Sequence, residues 1–287
     1  MASLKEVKGR IATVNNTRKI TSAMKMVASA KLHKAQGAIT HMLPYEQRLH
    51  GLLTNLLDSG DVKSDYAVQR EVKRIALVVF SSNTSLCGGF NANVIKHAGV
   101  WLDEHKDLGM ENIRIYPVGK KVADALVKQG FEVQGDFQHM ADKPSFAEAS
   151  DLAQELMDLF VRGEVDQVEL LYNHFKNMAS QILTREVYLP MLSFPKDAVS
   201  EIEEVDYILE PSREELLMML LPKVLRMKLY TVLLDSNASE HAARTMAMQI
   251  ATDNADDLLQ ELTLMYNKSR QQAITNELLD IVGGSMA

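Results

Sequence analysis

The 287-residue sequence has little of several features that common classes of protein require. Cys87 is the only cysteine, so an internal disulfide is excluded, which fits a reducing compartment. No run approaches the 18 consecutive apolar residues of a membrane-spanning helix, and charged residues interrupt the N-terminus where a signal peptide needs an apolar core. These absences indicate a cytoplasmic protein, or one bound to a membrane from its cytoplasmic side.

The sequence also lacks the compact motifs of metal and nucleotide chemistry. Its eight histidines are scattered without HExxH or a similar spacing, so no metal site is predicted. Neither GxxxxGK[ST] nor GxGxxG occurs, and Asn93 stands where a cysteine phosphatase would have the arginine that follows Cys87. The junction at residues 81–89 (SSNTSLCGG) is therefore predicted to be a tight turn in which glycines let backbone segments approach. No catalytic residue is predicted.

Proline is scarce at both ends of the chain. Residues 3–57 contain only Pro44, and residues 212–282 contain only Pro222. As helices these segments would span roughly 80 Å and 105 Å, whereas a compact domain from the residues between them would measure about 35 Å. Because isolated helices are marginal in water, the two must pack on each other, and the chain direction makes them antiparallel. Pro222 is expected to kink the second helix or to separate a short helix from it.

Both segments repeat apolar or small residues at steps of four and three, which is the pattern of a left-handed coiled coil. The C-terminal seam consists of Met227, Thr231, Leu234, Ala238, Thr245, Met248, Thr252, Ala255, Leu259, Leu262 and Tyr266. The N-terminal seam consists of Leu4, Val7, Ile11 and Val14, and then, one residue out of phase, of Thr17, Thr21, Met24, Ala28, Ala35, Ala38 and Met42. A stammer is therefore predicted near residue 17.

Strand and helix patterns alternate between the two long segments. Strands are predicted at 73–82, 112–118, 166–173 and about 181–189, with a short one around 131–135, and helices at 91–106, 119–129 and 145–162. Ser145 and Glu148 have the spacing of a capping box. The predicted fold class is α/β, with a long antiparallel coiled coil of N- and C-terminal helices plus a Rossmann-like, mostly parallel α/β domain. The predicted organisation is an N-terminal coiled-coil helix (1–57), a linker (58–71), an α/β globular domain (72–208) and a C-terminal coiled-coil helix (209–287).

Charge is unevenly distributed along a chain whose net charge is −7. Residues 1–43 hold eight basic residues and one acidic residue, which gives +7. Residues 132–169 hold ten acidic and two basic residues (−8), and residues 197–215 hold eight acidic residues and one basic residue (−7). The asymmetry indicates that the N-terminal helix meets acidic partners, with a solvated basic helix face as the alternative.

Four stretches carry long, specific motifs: 11–27 (IATVNNTRKITSAMKMV), 86–91 (LCGGFN), 239–255 (SEHAARTMAMQIATDNA) and 266–282 (YNKSRQQAITNELLDIV). In their order along the whole chain these motifs resemble the gamma subunits of F-type ATP synthases. The chain departs from the family pattern at Asn83, Thr84 and Ser85, where an Asp, a basic residue and a Gly are usual, and at Gln272 and Ser285.

The resemblance implies a rotor that performs no bond chemistry. Its coiled coil would enter a ring of three alpha and three beta subunits, and its globular domain would sit with the epsilon subunit on the membrane ring of c subunits. Ion flow would turn the rotor, which would drive the beta-subunit catalytic sites through different conformations. The resemblance further implies one copy in a 3:3:1 complex, no cofactor or metal, no substrate of its own, no nucleic acid, and a peripheral location on the cytoplasmic face of the cell (inner) membrane.

The resemblance also implies roles for individual residues, transferred by motif position. Lys19, Met24 and Lys25 match a collar that faces the beta-subunit lever loops. The positions that touch the beta-subunit catch region are matched by Arg244, Arg270, Gln271, Thr275 and Glu277. Tyr207 and Glu210, within residues 206–211 (DYILEP), match the foot near the c ring and epsilon.

Two other functional classes compete with the rotor. A coiled-coil adaptor could bind an acidic partner or nucleic acid through residues 1–43, although that stretch lacks stacking aromatic residues and the total charge is negative. A nucleotide-dependent enzyme could use the middle domain, which lacks any binding fingerprint.

Overall fold

The computed structural model describes residues 4–58, 64–191, 210 and 212–285. Its elements in chain order are α1 (Leu4–Asp58), β1 (Ile75–Phe80), α2 (Phe90–Glu104), β2 (Ile113–Val118), α3 (Lys120–Lys128), α4 (Gln138–Asp142), α5 (Phe146–Val161), β3 (Gln167–Phe175), β4 (Gln181–Leu189) and α6 (Arg213–Ser285). Three single-turn 3₁₀ helices lie at Asp65–Ala67, Lys106–Leu108 and Met110–Asn112. The predicted fold class is confirmed.

The two terminal helices are long and continuous, with 55 residues in α1 and 73 in α6. Pro44 lies inside α1 and Pro222 lies inside α6. Of the two expectations for Pro222, the separate short helix is therefore wrong, whereas the kink stays a prediction. Leu221 and Leu225 are buried on either side of this proline, so tertiary packing holds the helix across the missing backbone donor.

The sheet has the order β2-β1-β3-β4. β1 pairs in parallel with β2 and with β3, whereas β3 and β4 are antiparallel. Only residues 176–180 connect β3 to β4, a length that suits a hairpin and is too short for a parallel crossover. The strand predicted around 131–135 is reduced to one parallel bridge between Ile115 and Val133.

Alternate residues of β1 face two different hydrophobic clusters, as the period of a strand requires. Ala76, Val78 and Phe80 pack in one cluster, to which α5 and α6 contribute. The other three residues of β1 pack in a second cluster, to which α2 and α3 contribute. The sheet is thus covered by helices on both faces, which explains the continuous apolar run of its central strand.

The predicted capping box at the start of α5 is wrong. The Ser145 side chain makes no capping hydrogen bond. Glu148 instead lies with its Oε1 2.8 Å from Nδ1 of His139, which belongs to the short helix α4. A helix of only five residues shows no clear period in the sequence, so this partner of Glu148 was not predicted.

The chain divides into two compact units, residues 1–29 with 244–287 and residues 30–243. The first unit contains only segments of α1 and α6. The second contains the sheet, its covering helices and the remaining parts of α1 and α6. The division into 1–57, 58–71, 72–208 and 209–287 stays a prediction. Within the described part of the chain, no helix is both long and apolar enough to cross a bilayer.

Candidate partner interface on the helix pair

In the first unit, α1 and α6 are joined by three successive polar contacts. Arg18 Nη1 donates to Asp256 Oδ1 at 2.8 Å, and the hydroxyls of Thr21 and Thr252 lie 2.8 Å apart. Lys25 Nζ donates to Gln249 Oε1 at 2.7 Å. Residue numbers rise along α1 as they fall along α6, so the two helices are antiparallel, as predicted.

The seam of α1 in this unit runs without interruption. A series of wholly or partly buried positions follows alternating steps of four and three, and is occupied by Val7, Ile11, Val14, Arg18, Thr21, Lys25 and Ala28. Asn15, Ser22 and Met24 beside this series are also partly buried. Thr17, which was predicted to belong to the seam, is exposed. The predicted stammer is therefore wrong, because two seam positions carry basic residues that a search for apolar side chains passes over. Their aliphatic stems lie in the seam and their charged ends reach its edge.

The polar layers fix the pairing of the helices more than they stabilise it. The side chains of Arg18 and Asp256 are 40% and 46% exposed, and such ion pairs contribute less than about 1 kcal/mol. Each contact has one specific partner across the seam, which is how polar residues in a coiled coil specify register. Val7 and Ala28, which are apolar and buried, flank the polar section.

The three predicted collar residues differ in their availability to a partner. Lys19 is exposed, Met24 is partly buried, and the ammonium of Lys25 is already bonded to Gln249. The outward face of α1 beside Lys19 carries three large apolar side chains that the sequence reasoning did not select: Ile20, Met26 and Val27, which are 60%, 63% and 60% exposed. The sequence feature that could have identified them is an apolar side chain at a position outside the predicted seam. We call Lys19, Ile20, Ala23, Met26 and Val27 the outer face of α1.

The predicted catch residues fall into two groups. Arg270, Gln271, Thr275 and Glu277 are exposed, and Thr275 Oγ1 donates to the Gln271 carbonyl at 2.9 Å. Arg244 is only 8% exposed within this chain. The structure therefore brings four of the five to the surface near the C-terminal end of α6.

The last turns of α6 are exposed at every residue from Ile274 to Val282. Five large apolar side chains lie there, with exposures between 45% and 68%: Ile274, Leu278, Leu279, Ile281 and Val282. A contiguous exposed apolar surface of this kind marks a surface that a partner covers. Of the two predicted foot residues, Tyr207 lies outside the described residues, and Glu210 is exposed.

The turn between β1 and α2 is fixed by its own side chains. The Ser82 amide donates to Asn91 Oδ1 at 3.1 Å, and Asn91 Nδ2 donates to Ser82 Oγ at 2.8 Å. Asn91 Nδ2 also lies 3.1 Å from Sγ of Cys87, which is buried. Leu86 adopts a left-handed φ of 68° and is exposed. The polar side chains of Ser82 and Asn91 are thus bonded to each other within the turn, in agreement with the predicted tight turn.

Asn83, one of the departures from the family pattern, joins this turn to the first residues of α3 and α4. Its Nδ2 donates to the Gln138 carbonyl at 2.7 Å, and its Oδ1 accepts from the Lys120 amide at 2.9 Å. The close backbone approach at this edge of the sheet occurs at Gly119, where an added Cβ would lie 2.2 Å from the carbonyl oxygen of Ser81. Asn83 therefore links the turn after β1 to the starts of α3 and α4.

With this geometry in place, known proteins can be compared with the chain. The family profile described as ATP synthase matches residues 3–287. The chain belongs to the ATP synthase family. It is similar to the ATP synthase gamma chain of Phocaeicola vulgatus, with 70% identity over 100% of both chains. It is also similar to the ATP synthase gamma chain of Bacteroides thetaiotaomicron, with 61% identity over 100% of both chains. The family resemblance is confirmed.

Solved members of ATP synthase assemblies share the fold. A chain of the Euglena gracilis mitochondrial ATP synthase (OSCP/F1/c-ring) has a TM-score of 0.67 at 22% identity, covering 99% of this chain and 93% of that one. A chain of the Tetrahymena thermophila mitochondrial ATP synthase central stalk/c-ring has a TM-score of 0.56 at 24% identity, covering 81% and 99%. At these identities the likeness concerns the fold alone.

Proposed function

We propose that this chain is the rotary central-stalk (gamma) subunit of an F-type ATP synthase. It couples ion flow through the membrane c ring to ATP synthesis or hydrolysis at the catalytic sites of the alpha and beta subunits. The observation that carries this proposal is the antiparallel helix pair with an exposed apolar end, in a chain that aligns over its full length with gamma chains. The chain itself performs no bond chemistry.

The geometry of the pair suits the transmission of an angular position. α6 is a single helix of 73 residues, so a rotation applied to one section of it reaches the others through the backbone. A rotor changes the conformation of a surrounding subunit only through contacts that differ with angle. The outer face of α1 provides such a difference, because it combines Lys19 with an apolar surface on one side of the pair.

The exposed end of α6 suits rotation within an enclosing partner. Its apolar side chains from Ile274 to Val282 make contacts that are non-directional and similar at every angle. Arg270, Gln271, Thr275 and Glu277 lie exposed just before or within this stretch and supply angle-dependent polar contacts with the beta-subunit catch region. Exposed ion pairs contribute less than about 1 kcal/mol each, so such contacts can form and break as the rotor turns.

The partners follow from this role. The chain is one copy in a complex with three alpha and three beta subunits, and it binds the epsilon subunit and the c ring through its foot, which includes Tyr207 and Glu210. Lys19, Met24 and Lys25 belong to the collar, with Lys25 acting through its bond to Gln249. Arg244 is also assigned to the catch contacts, and because it is 8% exposed within this chain, only a small part of its side chain can contact that region. The chain is peripheral, on the cytoplasmic face of the cell (inner) membrane.

The test is co-expression of this chain with alpha and beta subunits from the same source, followed by native mass spectrometry and an ATPase assay. We expect one copy of the chain in a 3:3:1 complex whose ATPase activity depends on it. Absence of assembly, or assembly with several copies, would refute the rotor and favour a coiled-coil adaptor.

Residue roles are tested in the same complex. Lys19→Glu reverses a charge on the outer face of α1, and we expect it to change ATPase activity or torque while leaving assembly intact. Lys8→Glu, at another exposed position of the same helix outside the collar, is the matched control. Equal effects of the two substitutions would contradict a specific collar.

A further inference from the structure

In the unit formed by residues 30–243, α6 is part of the core of the α/β domain. Leu225, Leu229 and Val232 are each at most 2% exposed and belong to the same cluster as Val168 and Leu170 of β3. Apolar packing of this kind is non-directional. It holds α6 against the sheet, whereas hydrogen bonds also require particular donor and acceptor atoms to face each other.

Besides the pair of Lys228 and Glu186 of β4, whose Nζ and Oε1 atoms lie 3.1 Å apart, directional contacts join α6 to the end of β3. Asp235 Oδ1 accepts from the backbone N–H of Phe175 at 2.7 Å, and Asp235 Oδ2 lies 2.6 Å from Nδ1 of His174. Ser239 Oγ donates to the carbonyl of Asn173 at 2.8 Å. Three consecutive strand residues are thus bonded to two α6 residues that lie one turn apart on one helix face.

The Asp235 and Ser239 sides of these contacts are shielded from water, because the Asp235 side chain is 15% exposed and Ser239 is fully buried, whereas the His174 side chain is 52% exposed. Two further bonds hold α6. Asn237 Nδ2 donates to the Ala141 carbonyl at 3.0 Å in the same section of the helix, and the Tyr188 hydroxyl donates to the Leu225 carbonyl at 2.8 Å nearer its start. A shift of α6 would leave buried backbone groups without partners, which is far more costly than the net gain of a hydrogen bond.

The helix α1 meets the α/β domain in a different way. Phe175 packs on an apolar cluster that includes Leu32 and Ala35. Lys31 Nζ pairs with Asp142 Oδ1 at 3.5 Å, with both side chains at least half exposed. These contacts are apolar or solvent-screened, so they constrain rotation less than the buried bonds of α6.

We propose that Asp235 and Ser239 are positioning residues that lock α6 to the end of β3 and carry torque between the α/β domain and the helix pair. The inference rests on the proposed rotary function and deepens it. Torque applied to the domain is resisted by α6 through the bonds to Asn173, His174 and Phe175, and α1 follows α6 through their shared seam.

The experiment uses the complete complex of this chain with alpha, beta, epsilon and c-ring subunits, reconstituted in lipid vesicles. The readout is ATP-driven ion uptake divided by ATP hydrolysis, per assembled complex and against an imposed ion gradient. The variants are Asp235→Ala, Ser239→Ala and the conservative Asp235→Asn, which keeps an acceptor for the Phe175 amide. Asp142→Ala, which removes the exposed contact to α1, is the matched control.

We expect Asp235→Ala and Ser239→Ala to lower the ratio of uptake to hydrolysis, while hydrolysis without a gradient stays near that of the wild type. Asp235→Asn should retain most of the ratio, and Asp142→Ala all of it. In Asp235→Ala the amide of Phe175 should exchange about tenfold faster, the factor that corresponds to one lost buried hydrogen bond. A role in folding alone would reduce assembly without changing the ratio per assembled complex.

Unchanged ratios in both alanine variants would overturn the proposal. If Asp235→Ala fails to assemble, Ser239→Ala decides, because it removes one hydroxyl and replaces serine with the best helix former. Failure of the proposed function is distinguishable, since the wild-type chain would then give no coupled complex. If the wild-type complex has a normal ratio of uptake to hydrolysis and both alanine variants match it, only the proposed role of Asp235 and Ser239 is contradicted.

Discussion

Gly119 offers a sharp test of the geometry at the edge of the sheet. It connects β2 to α3 with a φ of +114°, and an added Cβ would lie 2.2 Å from the carbonyl oxygen and 2.7 Å from Oγ of Ser81. The first of these atoms is backbone and cannot rotate away. The Ser81 amide is itself bonded to the Val118 carbonyl at 2.8 Å, so the end of β1 is held in place. Gly119→Ala must therefore displace β1 or α3.

The expected loss has two parts. A residue with a Cβ at positive φ costs roughly 1–2 kcal/mol, and forced overpacking adds about 1–3 kcal/mol. Gly119→Ala should thus lower the free energy of unfolding by about 2–5 kcal/mol, a large part of the roughly 5–15 kcal/mol of an ordinary domain. Gly130→Ala is the matched control, because its φ is +88° and nothing lies within 4 Å of its added Cβ. It should lose only the backbone part.

Urea unfolding followed by tryptophan fluorescence measures this difference. Trp101 is the only tryptophan and is 1% exposed in the same unit, so its emission reports on the α/β core. With an m value of about 2 kcal/mol/M, the midpoint of Gly119→Ala should lie about 0.5–1.5 M below that of Gly130→Ala. Equal midpoints for the two variants would show that the close approach to Ser81 contributes nothing and would refute the reasoning.

Three further predictions concern charged and titratable groups. Reversing the charge of Arg18 or of Asp256 alone should lower the melting temperature, and exchanging both charges together should restore most of that loss. The coupling energy should be below about 1 kcal/mol and should vanish in 1 M salt. Circular dichroism melts measure it, and a coupling that survives salt contradicts the prediction. Glu169→Ala removes a buried carboxylate that lies 2.8 Å from the Trp101 indole nitrogen. The free energy of unfolding, measured in urea, should fall by about 2–4 kcal/mol. A decrease no greater than that of Glu169→Gln would refute the prediction. Burial, and then a hydrogen-bonded carboxylate, raises the pKa of Tyr116 to about 12. The Tyr116 hydroxyl loses its proton near pH 10 in the unfolded chain but only at about pH 12 in the folded chain. The free energy of unfolding should therefore fall between pH 10 and 12, and less steeply in Tyr116→Phe. Identical slopes for the two proteins would contradict the raised pKa.

The regular elements were predictable because their periods are strong. The seam of α6 is buried at Thr245, Met248, Ala255 and Leu262, as the heptad pattern required. The continuous apolar run of β1 marked a strand covered on both faces, and that strand is fully buried. In these segments local pattern and tertiary packing require the same residues.

Prediction failed where packing overrides a local rule. Pro222 lowers helix propensity, but buried leucines on both sides keep α6 continuous. Arg18 and Lys25 were not included in the predicted seam, whereas their polar ends bond across it to partners far away in sequence. No local pattern reveals those partners, because the register of two distant helices decides them.

Exposure also divides the residues that motif similarity selected for the candidate interface. Arg270 and Glu277 are at the surface, whereas Arg244 is buried within the chain. Ile20 and Val27 were not selected, although apolar residues off the seam are the feature that marks a contact surface. Motif similarity identifies constrained positions but does not separate those that face a partner from those that face the other helix.

The end of α6 shows why this helix pair is built to be enclosed. From Ile274 to Val282 each residue is exposed, so this stretch gains little burial from the rest of the described chain. A helix of that length receives too little from propensity alone to be stable in water, and its large apolar side chains make its exposure unfavourable. A partner that covers these side chains therefore stabilises the helix and the contact together. Because the apolar surface is contacted without directional bonds, the same partner can hold the end of α6 while it turns.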